Sequence, residues 1–453
     1  MAGAATLRSD RPYSIRRVGL PLLAALLLAD TVVLLGVDQA PVLLALALGG
    51  IAALWCVARS ERALAFVVFG LPILDPVQGA AGDFPLSALV GRLLLAAPLA
   101  LVFTSRLWAL GAPDRPRVVR RLVHPAIGWA SLLLLVYAWR LGSSPCPEYG
   151  TSKTWGYLVT NLTLLIAPVL LLAQPRGAES VEVRVRDFLF AALVAEAAIG
   201  VAGAINAVWP FYPWAFRLTT FGMNPIWFAR HIGQALVLFS CFVACGWIRR
   251  SRALPWLLLL AVVFWLSGSR GVLAALVVAA CVWLGSDARS RRWLPLAFML
   301  GLGVLAVVMA TLVIEGGESQ TFFHRGASNF YRARLLDIAL RTASEVGFFG
   351  VGTGGFGALA GVGDIRYYPH NILIEVGLEN GLPGLLALLG FLTSTAIAAK
   401  RLLGGGASVQ GRTIARIVLT LWAFNLANAM ASGDVNVNEW IWLWAGVLLV
   451  LLP

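Results

Sequence analysis

The sequence predicts an all-α fold: a polytopic bundle of transmembrane helices carrying one large loop on the outer side of the membrane. Three observations lead there. Hydrophobic residues make up 59% of the 453-residue chain and charged residues 13%, with a mean hydropathy of +0.83. A soluble core of that length does not need so much apolar surface, whereas a set of membrane spans does. Apolar runs such as VGLPLLAALLLADTVVLLG (18–36) and WLPLAFMLGLGVLAVVMATLVI (293–314) are about long enough to cross roughly 30 Å of hydrocarbon as helix. The basic residues, finally, collect in alternate connections between those runs.

Fourteen apolar segments follow in order, near 18–36, 41–58, 63–75, 86–105, 122–141, 155–173, 188–209, 228–248, 253–267, 271–285, 294–314, 381–399, 413–431 and 438–452. The first comes after four arginines and lacks a small-residue cleavage site, so it reads as a retained span and not as a signal peptide. With the N-terminus in the cytoplasm and the segments alternating, the inside connections hold 23 Lys and Arg residues and the outside ones 8. The other four, Arg92, Arg140, Arg230 and Arg416, fall within spans. This is the positive-inside pattern, and it orients the chain. The net charge of +13 is therefore a membrane address, with lipids as partners and no nucleic acid. Segments 253–267 and 271–285 are short, yet RRSR (249–252) and RSRR (289–292) both belong inside. SGSRG (267–271) must then turn near the outer face. The whole of 1–453 reads as one integral membrane domain.

The outside connections are short except for 315–370, the one extracytoplasmic loop with room for structure of its own. Within it, NFYRARLLDIALRTASEV (329–346) places Phe330, Ala333, Leu336, Leu340 and Ala343 near helical spacing with charges between them, which predicts an amphipathic helix at the outer surface. FGVGTGGFG (349–357) contains a G-x-G-x-x-G, but no βαβ context surrounds it and no Lys-Ser/Thr follows. It reads as a turn that lets backbone pack closely, not as a nucleotide site.

The five cysteines and four histidines define no framework and no metal set. Only Cys146 falls in an outside loop, no CxxC occurs, and His124, His231, His324 and His370 show no H-x-x-x-H spacing. No metal and no cofactor is expected. His231 neighbours Arg230 and is a further candidate to line a cavity with it.

Arginine within a span is expensive and marks a candidate site. Arg230 opens one span below an aromatic loop, Arg270 sits at the outward turn, and Arg334 lies on the external helix, so all three converge on the outer side. Guanidinium groups suit bidentate phosphate contacts, and a lipid-linked diphosphate would need such a clamp. Snorkelling to headgroups is the alternative for Arg230 and Arg270, and headgroup contact is the alternative for Arg332 and Arg341. At the end of the loop, YYPHNILIEVGLENGLPG (367–384) puts a lone imidazole, His370, at the water–lipid boundary. A neutral histidine there is either a proton acceptor for an attacking hydroxyl or a helix-start anchor.

The pattern His370-Asn371-x9-Gly381-x-x-Gly384 resembles the signature of the O-antigen ligase family, bacterial membrane glycosyltransferases similar to the polymerases of the same pathways. The resemblance runs from SGSRG through NFYRARLLDIAL and GVGTGGFG to the span ending near Lys400, a ligase-like core over 254–400. It implies a GT-C-like fold with about twelve spans, which with the fourteen segments above gives about 12–14 spans. It implies an inverting, metal-independent transfer of a glycan from undecaprenyl diphosphate to the hydroxyl of lipid A–core or another acceptor. The site would face the periplasm from the bacterial cytoplasmic membrane. His370 would be the base, with Arg270, Arg334 and Arg230 on the diphosphate and Asn371, Gly381 and Gly384 as supporting motif. A polymerase using the same donor is the nearest alternative; Arg341-x10-Gly352 resembles a polymerase spacing that 33 arginines and 46 glycines produce easily by chance. A lipid-linked glycan transporter is the alternative of another class, disfavoured because no inverted repeat of broken spans occurs.

Overall fold

The computed structural model describes residues 115–173, 180–208, 217–220, 223–287 and 326–453, with Glu61, Leu64, Ala65, Val68, Arg292 and Pro295. The segments expected at 18–36, 41–58, 86–105 and 294–314, most of 63–75, and His324 lie outside the described residues. The described chain is helical with no strand, as expected of a polytopic helical membrane protein. Its helices are α1 (Arg115–Leu122), α2 (Pro125–Leu141), α3 (Pro147–Leu172), α4 (Val181–Val208), α5 (Pro225–Ala244), α6 (Arg250–Ser267), α7 (Arg270–Gly285), α8 (Gly326–Thr342), α9 (Ile372–Arg401), α10 (Val409–Ala429) and α11 (Trp440–Val450).

Proline at the first helical position and a capping side chain start several of them. His124 accepts from Ala126 N ahead of Pro125, and Asn224 accepts from Ile226 N ahead of Pro225. Between α6 and α7 only Gly268 and Ser269 intervene, with Gly268 left-handed at φ 61°. The tight turn read at SGSRG is therefore present. Among the described residues α3, α4, α5, α6 and the helix from Ile372 are long and apolar enough to cross a membrane; α2, α7 and α11 are apolar but shorter. In α4 and α5 72% of the most apolar window is buried inside the protein against 28% in α6, so α4 and α5 are central and α6 peripheral.

Segment 438–452 differs from its expectation as a span. The 11 residues of α11 reach only about 16 Å, and every one of them is buried. Trp442 Nε1 donates to Tyr157 Oη at 3.2 Å and Trp444 Nε1 to Gln234 Oε1 at 2.9 Å. This helix fills the core. The amphipathic helix is found as α8, but its packed face is not the one expected. Leu335 and Ala339 pack with Phe356 and Leu378, while Leu336 and Leu340 are exposed. The neighbours available to it, 356 and 378, decide the face, and neither is apparent from the helix's own periodicity.

The glycine pair of the motif is a break in α9. Gly381 has φ 63° and ψ −156° inside the helix, a conformation that L side chains avoid. The break frees backbone groups of the adjoining turns, and the FGVG loop takes them. Leu382 N donates to Phe348 O at 2.9 Å, Val351 N to Leu378 O at 2.9 Å and Gly352 N to Glu379 O at 2.8 Å. A Cβ on Gly381 would run into the backbone of Phe348–Gly350.

Beside the break, Lys153 of α3 forms ion pairs with both Glu375 and Glu379 of α9, all three fully buried. Glu379 also accepts from Gly354 N at 2.9 Å, and Glu375 from Val435 N at 3.4 Å. Lys153→Ala is expected to leave two uncompensated carboxylates and to lower stability by about 3–5 kcal/mol, read as a fall in the unfolding midpoint in detergent. Replacing all three together by Met, Gln and Gln restores most of that loss. Gly381→Ala lowers the midpoint as well, while Gly377→Ala, which meets open space, does not.

Candidate functional site

Elements from across the chain meet at one end of the bundle. There α6 turns into α7, α5 and α9 begin, and α10 gives way to the turn 430–439 that leads into α11. They border a small open cleft whose lining includes Arg217, Ser269, Arg270, Arg332, Asn428 and Ser432. Three guanidinium groups thus face one concavity, with a serine from each of two turns. Like charges gathered this way repel one another, and burial holds Arg332 below the ordinary arginine range; a bound anion relieves both costs. Arg217 is in part a brace, donating through Nε to Ser267 O at 2.8 Å and so tying the end of α6.

His370, outside the spans, contacts the turn whose Ser432 lines this cleft. It is left-handed at φ 60°, the one non-glycine residue so placed among the described residues, and such strain often accompanies a functional constraint. Gly433 N–H donates to its Nδ1 at 3.4 Å, and the Tyr368 ring lies edge to face with it at 4.8 Å. Burial, reinforced by the nearby Arg332 and Arg230 and opposed by Asp434, pushes the imidazole down to about 4. At neutral pH the ring is therefore uncharged.

The turn behind it is built around Asp434. This carboxylate accepts from Tyr149 Oη at 2.9 Å, Arg366 Nε at 3.1 Å and Val437 N at 3.0 Å. Burial opposes its charge, but Arg366, Lys153 and these hydrogen bonds outweigh burial and hold it below the usual carboxylate range.

Residues 255–389 match the O-antigen ligase family. No curated protein matches the chain. The ligase-family segment runs from α6 into α9 and contains Arg270, Arg332, Arg334, His370, Asn371, Gly381 and Gly384. The likeness read from the His-Asn-x9-Gly-x-x-Gly pattern stands for that segment; the matched family implies an O-antigen ligase- or polymerase-like activity and, in general, lipid-linked glycan and acceptor substrates. Arg217, Arg230, Lys153 and the 430–439 turn lie outside it.

The structure sorts the candidates. Arg270 lines the cleft as expected. Arg334 does not: two positions on along α8, it points about 200° from Arg332 and is exposed, and Arg332 takes the place assigned to it. Arg230 is 2% exposed and lies behind the lining; its terminal nitrogens donate to the carbonyls of Ser432 (2.8 Å), Val437 (3.3 Å) and Asn428 (3.4 Å). It holds the turn and does not face the cleft. His231 is turned elsewhere, pairing through Nδ1 with buried Glu196 at 2.5 Å. Asn371 is the N-cap of α9, accepting from Leu373 and Ile374 N, and its Nδ2 donates to Met430 O at 3.1 Å.

Sequence reading did not find Arg332 as a lining residue, Arg217 as a brace, or Asp434 and Gly433 as the support of His370. The signals were faint. Asp434 and Gly433 stand in ASGDVNVNE (430–439 region), a polar island between two apolar segments that read only as a short connection. Pyrophosphate is expected to bind the cleft of the full-length protein in detergent. Arg332→Gln or Arg270→Gln should weaken that binding about tenfold or more, while Arg334→Gln leaves it unchanged, as titration calorimetry can measure.

Proposed function

We propose that the protein is a glycosyltransferase of O-antigen ligase type. It moves a glycan from undecaprenyl diphosphate to an acceptor hydroxyl, with inversion and without a metal, at the outer face of the bacterial cytoplasmic membrane. One observation carries the reading: within the ligase-family segment, a neutral histidine borders an arginine-lined cleft at the end of the bundle remote from the basic connections. A lipid-linked diphosphate suits that place, because its lipid can stay in the bilayer while its phosphates meet Arg270 and Arg332. The diphosphate is already a good leaving group. What remains is to align the acceptor oxygen behind the anomeric carbon and to balance charge as the bond to phosphate breaks, the kind of preorganised stabilisation that fixed guanidinium groups supply. Arg230 and Asp434 serve as positioning residues for the 430–439 turn, and Asn371 for the start of α9. Residues 254–400 supply the reacting centre, and the loop 315–370 brings α8 and His370 over it. The acceptor is lipid A–core or another molecule bearing a hydroxyl group.

The test uses purified full-length protein and an undecaprenyl-diphosphate-linked oligosaccharide, with and without acceptors, following glycan size and release of lipid diphosphate. One-step consumption of donor that requires an acceptor, survives EDTA and falls by about 10²-fold or more in His370→Ala is the expected result. A ladder grown from donor alone makes the protein a polymerase. An unaltered donor that merely crosses the membrane makes it a transporter.

A further inference from the structure

We infer that the Phe348–Phe349 loop is a membrane-contact site: its two rings, with Trp139 of α2, seat in the interfacial layer of the bilayer at the cleft end and hold the segment joining α8 to α9 at a fixed depth. The partner is phospholipid, and the inference stands apart from the glycosyl-transfer reading.

The depth follows from α9. After the break at Gly381 the helix restarts with Pro383 in its first turn, where a missing N–H costs little. From Leu382 to Ala399 it holds eighteen residues without a charge, and Lys400 and Arg401 follow. Such a run is about 27 Å long, close to the roughly 30 Å of a hydrocarbon core. With the two cations at one boundary, Leu382 stands at the other. Leu382, Leu386 and Leu389 are exposed along the flank of this run, where lipid chains would cover them.

The loop is fastened at the level of Leu382. Leu382 N donates to Phe348 O at 2.9 Å, and Val351 N donates to Leu378 O at 2.9 Å. Gly350, left-handed at φ 76°, lies so close to the break that a Cβ would meet the carbonyl of Glu379. From the other side, Arg140 in the last turn of α2 donates through Nη2 to Gly350 O at 2.9 Å. With its backbone held by both helices the loop still leaves Phe348 60% and Phe349 47% exposed.

Those rings end a longer apolar surface. Phe348 and Phe349 meet edge to face at 4.9 Å, and Phe349 meets Trp139 in the same way at 5.3 Å. Trp139 is itself 55% exposed, and the exposed stripe of α2 continues through Leu135 and Leu132 to Trp129. The Trp129 ring lies over Gly390 of α9, so the stripe runs beside the exposed leucines of α9. In the last turn of α6, Trp265 is a further exposed aromatic residue at this end of the bundle. In water these rings would form an uncovered apolar patch, whereas aromatic side chains are favoured where hydrocarbon gives way to headgroups. Continuity with the flanks of two apolar helices selects lipid over a soluble partner.

The contact has a consequence for the site. The anchored residues lie between α8, which carries Arg332, and His370, which precedes α9. Contact at 348–349 therefore sets the height of both over the bilayer.

The test uses the full-length protein in phosphatidylethanolamine–phosphatidylglycerol nanodiscs. Photoreactive benzoylphenylalanine replaces Phe348, Phe349, Leu386 or Val362, one per protein, and adducts are identified by mass spectrometry after irradiation. Leu386 reports the middle of a span. Val362 is exposed in the turn whose Asp364 caps the start of α3, and it reports water. Probes at 348 and 349 should give lipid adducts comparable with Leu386 and about tenfold more abundant than those at Val362. In Phe348→Ser/Phe349→Ser, amide exchange of α8 should rise about tenfold in nanodiscs. Adducts to a second copy of the chain would make the patch a dimer interface and overturn the inference. Lipid yields no higher than at Val362 would put the loop in water and overturn it equally. Unchanged α8 exchange in the serine variant would overturn the holding role.

Discussion

Lys153 lies fully buried between Glu375 and Glu379, and the arrangement of the cleft end of the bundle depends on that trio. A buried charge must be paired, and here one ammonium meets two carboxylates a helical turn apart on α9, which fixes the register of α3 against α9. Because an ammonium cannot cancel two carboxylates, backbone N–H groups supply the balance: Gly354 to Glu379 and Val435 to Glu375. Those two contacts seat the glycine-rich loop and the 430–439 turn. His370 precedes α9 by two residues and touches that same turn, so its position is inherited from the trio.

The site above is arranged by a second constraint, the crowding of positive charge. Arg217, Arg270 and Arg332 face one cleft with Arg230 behind them. Arg217 and Arg230 direct their guanidinium groups onto backbone carbonyls, which stabilises them without removing their field. The result is a cationic concavity built before any ligand arrives, next to an imidazole that burial, helped by the same field, keeps neutral. Such preorganisation suits an anionic group whose charge grows as a bond breaks.

A helix break supplies the remaining freedom. Gly381 interrupts α9 near its N-terminal end, and the groups it releases are taken at once by residues 348–352. The signature glycine thus has a structural reason that stands apart from the chemistry: it lets the loop that follows α8 lie directly on α9. Asn371 likewise caps α9 and ties it to the end of α10.

What the sequence determined by itself is whatever depends on composition and local order. Apolar length marked the helices, SGSRG marked the tight turn, and the order of His370, Asn371, Gly381 and Gly384 carried the family resemblance. These are properties of one segment in contact with lipid or water, so they can be read one segment at a time. Tertiary structure decided which side chains meet. Arg332 and Arg334 are equally charged and two residues apart, and only the packing of Leu335 and Ala339 on Phe356 and Leu378 turns the first to the cleft and the second away. Arg230 became a brace because carbonyls some two hundred residues later in the chain lie against it. The contact that His370 makes through Nδ1 is with Gly433, sixty-three residues away. Periodicity carries no information about such pairings, because they depend on which distant groups packing brings within hydrogen-bond reach.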